Sequence, residues 1–137
     1  MEKQLAILGA GSWGTALAIV LAPRFEQVQL WAHEADLAAR MARSRENDVF
    51  LPGFQLPPNV LPGNELKPAL AAAGTVLGVM PSRFARHVYG AALPYLEPEM
   101  QFVSATKGLE AGTLLRMSEV ARAAIGTKFA PRIAVLS

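Results

Sequence analysis

Six residues near the start of the chain, Gly9-Ala10-Gly11-Ser12-Trp13-Gly14, restrict the accessible folds more than any other feature of the sequence. Before them comes a short apolar run, Lys3 to Leu8 (KQLAIL). After them an Ala- and Leu-rich stretch extends from Ser12 to Leu21, and Pro23 stops it. An apolar run of that length, ending at glycine, predicts a buried parallel strand, and the second stretch predicts a helix. In a strand–turn–helix unit of this kind the first glycine permits the tight turn and the second lets phosphates approach the backbone. The third lets the helix pack closely on the strand. The helix N-terminus offers unpaired N–H groups and a partial positive charge to the same phosphates.

The rest of the chain repeats the alternation. Val28 to Trp31 predicts a second strand and Glu34 to Arg43 a helix. From Asn47 to Asn64 (NDVFLPGFQLPPNVLPGN) four prolines forbid a long helix, and a structured loop with a brief third strand around Asn59–Leu61 is expected. A short helix over Pro68–Ala73 and a fourth strand over Thr75–Met80 follow. Pro81 suits the first turn of a helix running toward Leu93. Gln101–Ala105 predicts strand five, Thr113–Ile125 a helix, and Arg132–Leu136 strand six. Strands alternating with helices at this spacing predict an α/β fold, a doubly wound, mostly parallel sheet of the Rossmann type. Right-handed crossovers give it the order 3-2-1-4-5-6.

Composition narrows the function classes. At 137 residues, 52% of them hydrophobic and 18% charged, the chain can bury a core and forms one domain, residues 1–137. Thirteen Lys and Arg are scattered, giving a net charge of +2 and no basic run with interleaved aromatics, so no nucleic-acid partner is expected. No apolar run reaches transmembrane length, so no membrane partner is expected either. The absence of cysteine excludes disulfides and thiolate metal sites, in keeping with a cytoplasmic location. His33 and His87 lack metal-ligand spacing, so no metal is expected.

Candidate binding residues follow from the rule that ligands of open parallel sheets bind beyond the carboxyl ends of the strands. Ser12 can donate to a phosphate through its hydroxyl or its N–H. Trp13 either packs on a neighbouring loop or lines the pocket. Glu34 stands at about the distance expected of the acid that accepts from a ribose hydroxyl, or it opens the next helix. His33 faces the adenosine or a 2′-phosphate, or is solvated. NAD and NADP both stay open, with a slight lean toward NADP being accepted. Met80–Phe84 follows strand four, and Phe84 is placed to pack on the cofactor. Ser104–Gly108 follows strand five, and Lys107, next to a glycine, is placed to hold a substrate oxygen or phosphate as a point charge. The Asn47–Gly53 loop is placed to fold over the mouth. Arg83, Arg86 and His87 read as solvated.

Together these segments resemble one family, the NAD(P)-dependent glycerol-3-phosphate dehydrogenases of bacterial type. The matching pieces are GAGSWGTALA from Gly9, LWAHE over Leu30–Glu34, NDVFLPG over Asn47–Gly53, LPPNV over Leu56–Val60, MPSRF over Met80–Phe84 and SATKGLE over Ser104–Glu110. The terminal AVLS is similar to the start of the family's next motif. The resemblance covers nearly the whole chain, in order. Phe50 stands where the family often has tyrosine, Met80 where it often has valine, and His33 where bacterial members often have arginine.

The resemblance implies reversible hydride transfer between NAD or NADP and the pair dihydroxyacetone phosphate and glycerol 3-phosphate, supplying glycerol 3-phosphate for phospholipid synthesis. It implies cofactor contacts at Gly9, Gly11, Ser12, Trp13, Gly14, His33 and Phe84, and contact of Lys107 with both cofactor and substrate. The family's proton-transferring lysine lies in a helical C-terminal substrate domain that this chain does not include. No catalytic residue is therefore expected here, and the chain alone is expected to bind dinucleotide weakly without useful turnover. Its ending on an apolar strand reads as a domain cut from a longer protein, for which the family allows a homodimer. Two other readings stay open: a related dehydrogenase such as a ketopantoate reductase or a 6-phosphogluconate-type enzyme, and a non-catalytic domain that senses NAD(H).

Overall fold

A computed structural model describes residues 2–136, so Ser137 of the terminal AVLS lies outside the described residues. Six parallel strands form one sheet in the order β3-β2-β1-β4-β5-β6, as the alternation predicts. They are β1 (Glu2–Leu8), β2 (Phe25–Trp31), β3 (Val60–Gly63), β4 (Thr75–Gly78), β5 (Gln101–Ser104) and β6 (Arg132–Val135). The helices are α1 (Ser12–Leu21), α2 (Ala35–Ser44), α3 (Leu66–Leu70), α4 (Ala85–Ala92) and α5 (Met117–Ile125). Among the described residues no helix is long and apolar enough to cross a membrane.

β1 explains why the sheet is covered on both faces. Successive side chains of a strand point to opposite faces, so Leu5 and Ile7 enter one core with Leu17, Leu37 and Met41 of α1 and α2. Ala6 and Leu8 enter the other, with Leu70, Val88, Val120 and Ile125 of α3, α4 and α5. All four are buried, which is why the segment reads as a continuous apolar run rather than an alternating one. Trimming Ile7 to alanine at this position costs about 2–5 kcal/mol.

Several element boundaries differ from the sequence expectation, β2 starting at Phe25 rather than Val28 and β4 ending at Gly78 rather than Met80, and three differences concern the helices. Helix α3 starts two residues earlier than predicted, with Pro68 inside its first turn, where a missing N–H costs nothing. Pro81 does not open a helix: it precedes a 3-10 turn, Ser82–Phe84, and α4 begins at Ala85. Helix α5 begins at Met117 rather than Thr113, because Leu114 adopts φ 60° and the segment before it turns back to bridge Leu109 with Arg116.

The proline-rich segment is ordered by its own polar contacts. Arg45, at φ 60°, ends α2 and donates from Nη2 to the carbonyls of Pro57 and Val60, each at 2.7 Å. Asn59 donates to the Ala22 and Phe25 carbonyls at 2.8 and 3.0 Å, fixing the entry to β3 against the start of β2.

Candidate functional site

The C-terminal ends of β1, β4 and β5 are tied together past the regular ladder. Val79 N–H donates to the Leu8 carbonyl at 2.9 Å, Ala105 N–H to the Gly78 carbonyl at 2.9 Å, and Thr106 Oγ1 to the same Gly78 carbonyl at 3.1 Å. The segments leaving these strands therefore start side by side. With the end of β2 they line a cavity of about 920 Å³. It lies where the sheet order reverses about β1, the position at which open α/β sheets bind ligands. All eight residues singled out from the sequence line it: Gly9, Gly11, Ser12, Trp13, Gly14, His33, Phe84 and Lys107.

The three glycines of the turn have different reasons to be glycine. Gly9 adopts φ +130°, and a Cβ there would lie 2.7 Å from the Val79 carbonyl. A Cβ on Gly14 would lie 2.0 Å from the Gly9 carbonyl oxygen, inside any permitted contact. Gly11 has an ordinary extended backbone, and a Cβ there meets nothing within 4 Å. Protein packing thus accounts for Gly9 and Gly14 but not for Gly11. Gly11 also caps α1 without a side-chain hydrogen bond, and the first turn of α1 holds no acidic residue. The positive end of the helix is left uncompensated toward the cavity.

An aromatic wall closes the side beyond β2. The His33 ring stacks on Phe84 at 6.1 Å between centroids and 18° between planes, and Trp31 meets His33 edge-on at 6.0 Å. Sequence reasoning read Trp31 only as the end of a strand; its buried Nε1 has no hydrogen-bond partner among the described residues. Arg83 is not simply solvated: its guanidinium sits 4.7 Å over the Phe84 ring and it lines the cavity. Glu34 precedes α2 as its capping residue yet makes no side-chain cap bond, and it lines the cavity. Trp13 is nearly half exposed on the cavity wall.

Lys107 is exposed, and among the described residues no carboxylate pairs with it. Its loop is held from below. Gly108 takes φ +101°, and Glu110 accepts from Arg86 Nε at 2.8 Å, Arg86 Nη2 at 2.9 Å and Thr113 Oγ1 at 2.6 Å. The Arg86 and Thr113 hydrogen bonds hold the Glu110 carboxyl down at about 2. Arg86 is exposed, as expected, and also serves as the strut beneath the loop that carries Lys107. His87 is exposed on α4, as its helix position predicts.

Beneath β4, a Cβ on Gly78 would lie 2.1 Å from Tyr89 Oη. The absence of that atom lets the buried phenol pack under the strand end, and burial pushes its pKa up to about 12.

One anchoring residue escaped sequence reasoning. The Asn47–Gly53 loop does reach the mouth, where Phe50 lines the cavity, but what ties it there is Asn47, which is fully buried. Its side chain bonds to Ala10, Thr15 and the Phe50 N–H. The only sequence signal was the segment's place beside the predicted site.

A glycine turn at a helix N-terminus, opening on a cavity at the reversal of a parallel sheet, defines a nucleotide-binding α/β domain. Residues 4–137 match the family model described as the NAD-dependent glycerol-3-phosphate dehydrogenase N-terminus. The chain is 45% identical over 136 residues to a glycerol-3-phosphate dehydrogenase (NAD(P)+) of Koribacter versatilis, covering 98% of this chain and 40% of that protein. It is 38% identical to the Bacillus velezensis protein of the same name, over 98% of this chain and 39% of that one. The crystal structure of glycerol-3-phosphate dehydrogenase from Coxiella burnetii superposes with a TM-score of 0.86 at 33% identity, covering 98% of this chain and 39% of that one. The chain belongs to the NAD-dependent glycerol-3-phosphate dehydrogenase family and matches its N-terminal part. It spans about 40% of the length of the curated relatives it matches.

Proposed function

We propose that the cavity binds NAD or NADP, and that the chain is the cofactor-binding half of an enzyme interconverting dihydroxyacetone phosphate and glycerol 3-phosphate. The observation that carries the cofactor reading is Gly11. Gly11 lines the cavity at the start of α1, and a Cβ there would meet no protein atom within 4 Å, which leaves open space against its backbone for a ligand. The uncapped, acid-free N-terminus of α1 makes an anionic group the natural occupant. The dinucleotide pyrophosphate fits both features.

When bound, the nicotinamide cofactor supplies or accepts the hydride. The chain's own residues bind and orient. Gly9, Gly11 and Gly14 shape the turn, Ser12 donates to phosphate, and Trp13 covers it. The His33–Phe84 wall holds the adenosine end, where Glu34 accepts from a ribose hydroxyl of NAD. Arg83 and His33 provide donors for a 2′-phosphate, so neither cofactor is rejected. Lys107 presents a point charge to the cofactor and to the substrate's oxygens.

Carbonyl reduction also needs a proton at the developing alkoxide, supplied by a group outside this chain. The isolated chain therefore binds cofactor weakly and turns over no substrate. In the full-length protein, read as cytoplasmic and homodimeric, the product serves phospholipid synthesis.

Titration of the chain with NADH and with NADPH, followed by quenching of its tryptophan fluorescence, tests the first half. Saturable binding is expected, and no binding of either removes the cofactor reading. The protein extended to the family's full length is expected to oxidise the reduced cofactor only when dihydroxyacetone phosphate is added. Binding without that oxidation removes the dehydrogenase reading.

A further inference from the structure

The glycine turn is held in shape by a side chain distant in sequence. Asn47 Nδ2 donates to the Ala10 carbonyl at 2.8 Å and to Thr15 Oγ1 at 2.8 Å, and its Oδ1 accepts from Phe50 N–H at 3.0 Å. Both amide hydrogens are used, and the side chain is 0% exposed. Ala10 lies on the strand side of the turn, and Thr15, also 0% exposed, lies in the first turn of α1. One amide therefore fixes both limbs of the turn to each other. It also fixes them to the Phe50 loop, which reaches the cavity from outside.

Resting on the dinucleotide reading of the cavity, we propose that Asn47 is a positioning residue for the cofactor's pyrophosphate. The Ala10–Gly11 peptide is planar and trans, so drawing the Ala10 carbonyl toward Asn47 turns the Gly11 N–H the opposite way. Asn47 does not line the cavity, whereas Ala10 and Gly11 both do. The peptide is thus held with its acceptor occupied by protein and its donor free for phosphate. A relaxed turn would let the carbonyl oxygen swing toward the anion and repel it. An aspartate at this site keeps the shape but replaces both donors with an acceptor facing the Ala10 oxygen.

The test compares NADH, which carries the pyrophosphate, with adenosine, which carries no phosphate. Affinities for both are measured by NMR titration on the wild-type chain, Asn47→Asp and Asn47→Ala, with the Gly11 amide followed as the probe of phosphate contact. Both variants are expected to lose about tenfold or more in NADH affinity, the scale of one charge-assisted hydrogen bond. Adenosine affinity stays within about twofold, and the Gly11 amide shift on NADH addition shrinks. Thr15→Val, which keeps the side chain's shape and removes one acceptor, gives the same pattern more weakly and serves if the Asn47 variants do not fold. Unchanged NADH affinity in folded variants overturns the assignment. Equal losses for NADH and adenosine overturn it in favour of a general structural role. Failure of the wild type to bind NADH removes the dinucleotide reading itself, and the assignment with it.

Discussion

Arg86 on α4 holds Glu110 with two nitrogens of one guanidinium, Nε at 2.8 Å and Nη2 at 2.9 Å, and by doing so fastens the Lys107 loop to the helix that follows β4. A two-pronged pair of this kind fixes orientation as well as distance. Two of the segments that line the cavity are therefore joined behind it.

The same pair gives the domain an acid-sensitive joint. Hydrogen bonds from Arg86 and Thr113 lower the folded-state pKa of Glu110 to about 2 from an ordinary 4.5. A depressed carboxylate contributes stability that is full above about 4.5 and is lost as pH falls toward about 2. The Glu119 carboxyl, lowered by the Arg116 backbone N–H and then by its side chain, acts in the same direction. Glu110→Gln is expected to lose less melting temperature than the wild type across that window. Parallel acid titrations of the two melting curves check it, and superimposable slopes would count against the pair.

At the alkaline end the sign reverses. Tyr89 is buried, and its pKa is raised from 10 to about 12. A neutral acid with a raised pKa contributes stability that is full below about 10 and fades as pH rises toward about 12. Tyr89→Phe should flatten that alkaline slope. The same phenol lies where a Gly78 side chain would go. Gly78→Ala is expected to cost roughly 1–3 kcal/mol, as overpacking does. Denaturant unfolding of the double variant with Tyr89→Phe should recover part of that loss, and strict additivity would contradict the contact.

The turn glycines should separate folding from binding. Gly9→Ala and Gly14→Ala force backbone contacts of 2.7 and 2.0 Å and are expected to destabilise by about 3 kcal/mol or more. Gly11→Ala, which meets no protein atom but gives up a glycine cap, should cost no more than about 1 kcal/mol. It should nevertheless lose about tenfold in NADH affinity. Chemical denaturation beside an NADH titration reads both numbers. A Gly11→Ala chain that binds normally would show that the open space belongs to no ligand.

Leu114 holds a left-handed backbone, φ 60°, with 70% of its surface exposed. A leucine is strained there by about 1–2 kcal/mol and has little packing to offset it. Leu114→Gly is expected to raise stability by up to about 1 kcal/mol, less than the strain because glycine frees the unfolded chain. A fall in the unfolding midpoint would mean that the side chain packs to some purpose.

The strands and the glycine turn were legible because their signals are local: short apolar runs bounded by breakers, and a turn whose neighbours settle its meaning. So was the convergence of His33, Phe84 and Lys107, since parallel strands send every carboxyl end to one edge of the sheet. Asn47 was not legible. Its partners Ala10 and Thr15 are 37 and 32 residues away, and nothing about an asparagine before a proline-rich loop names them. The pairing of the surface residue Arg86 was not legible either, because Glu110 is 24 residues distant. The late start of α5 is different, since its contacts are local: Thr113 uses its hydroxyl on Glu110, and Glu119 accepts from the Arg116 N–H, so the helix opens at Met117.

The placement of β1 between β2 and β4 has a consequence for how the chain is made. The strand synthesised first can cover one edge as soon as β2 appears, but its other edge waits until Thr75–Gly78 has emerged. At about 5–20 residues per second that wait lasts several seconds. Throughout it a nascent chain displays an apolar strand with unpaired backbone groups, the form most prone to pair with another chain. A nascent-chain chaperone is of most use to this domain before residue 78 has emerged, not at its end, and a translation pause there would prolong the exposure.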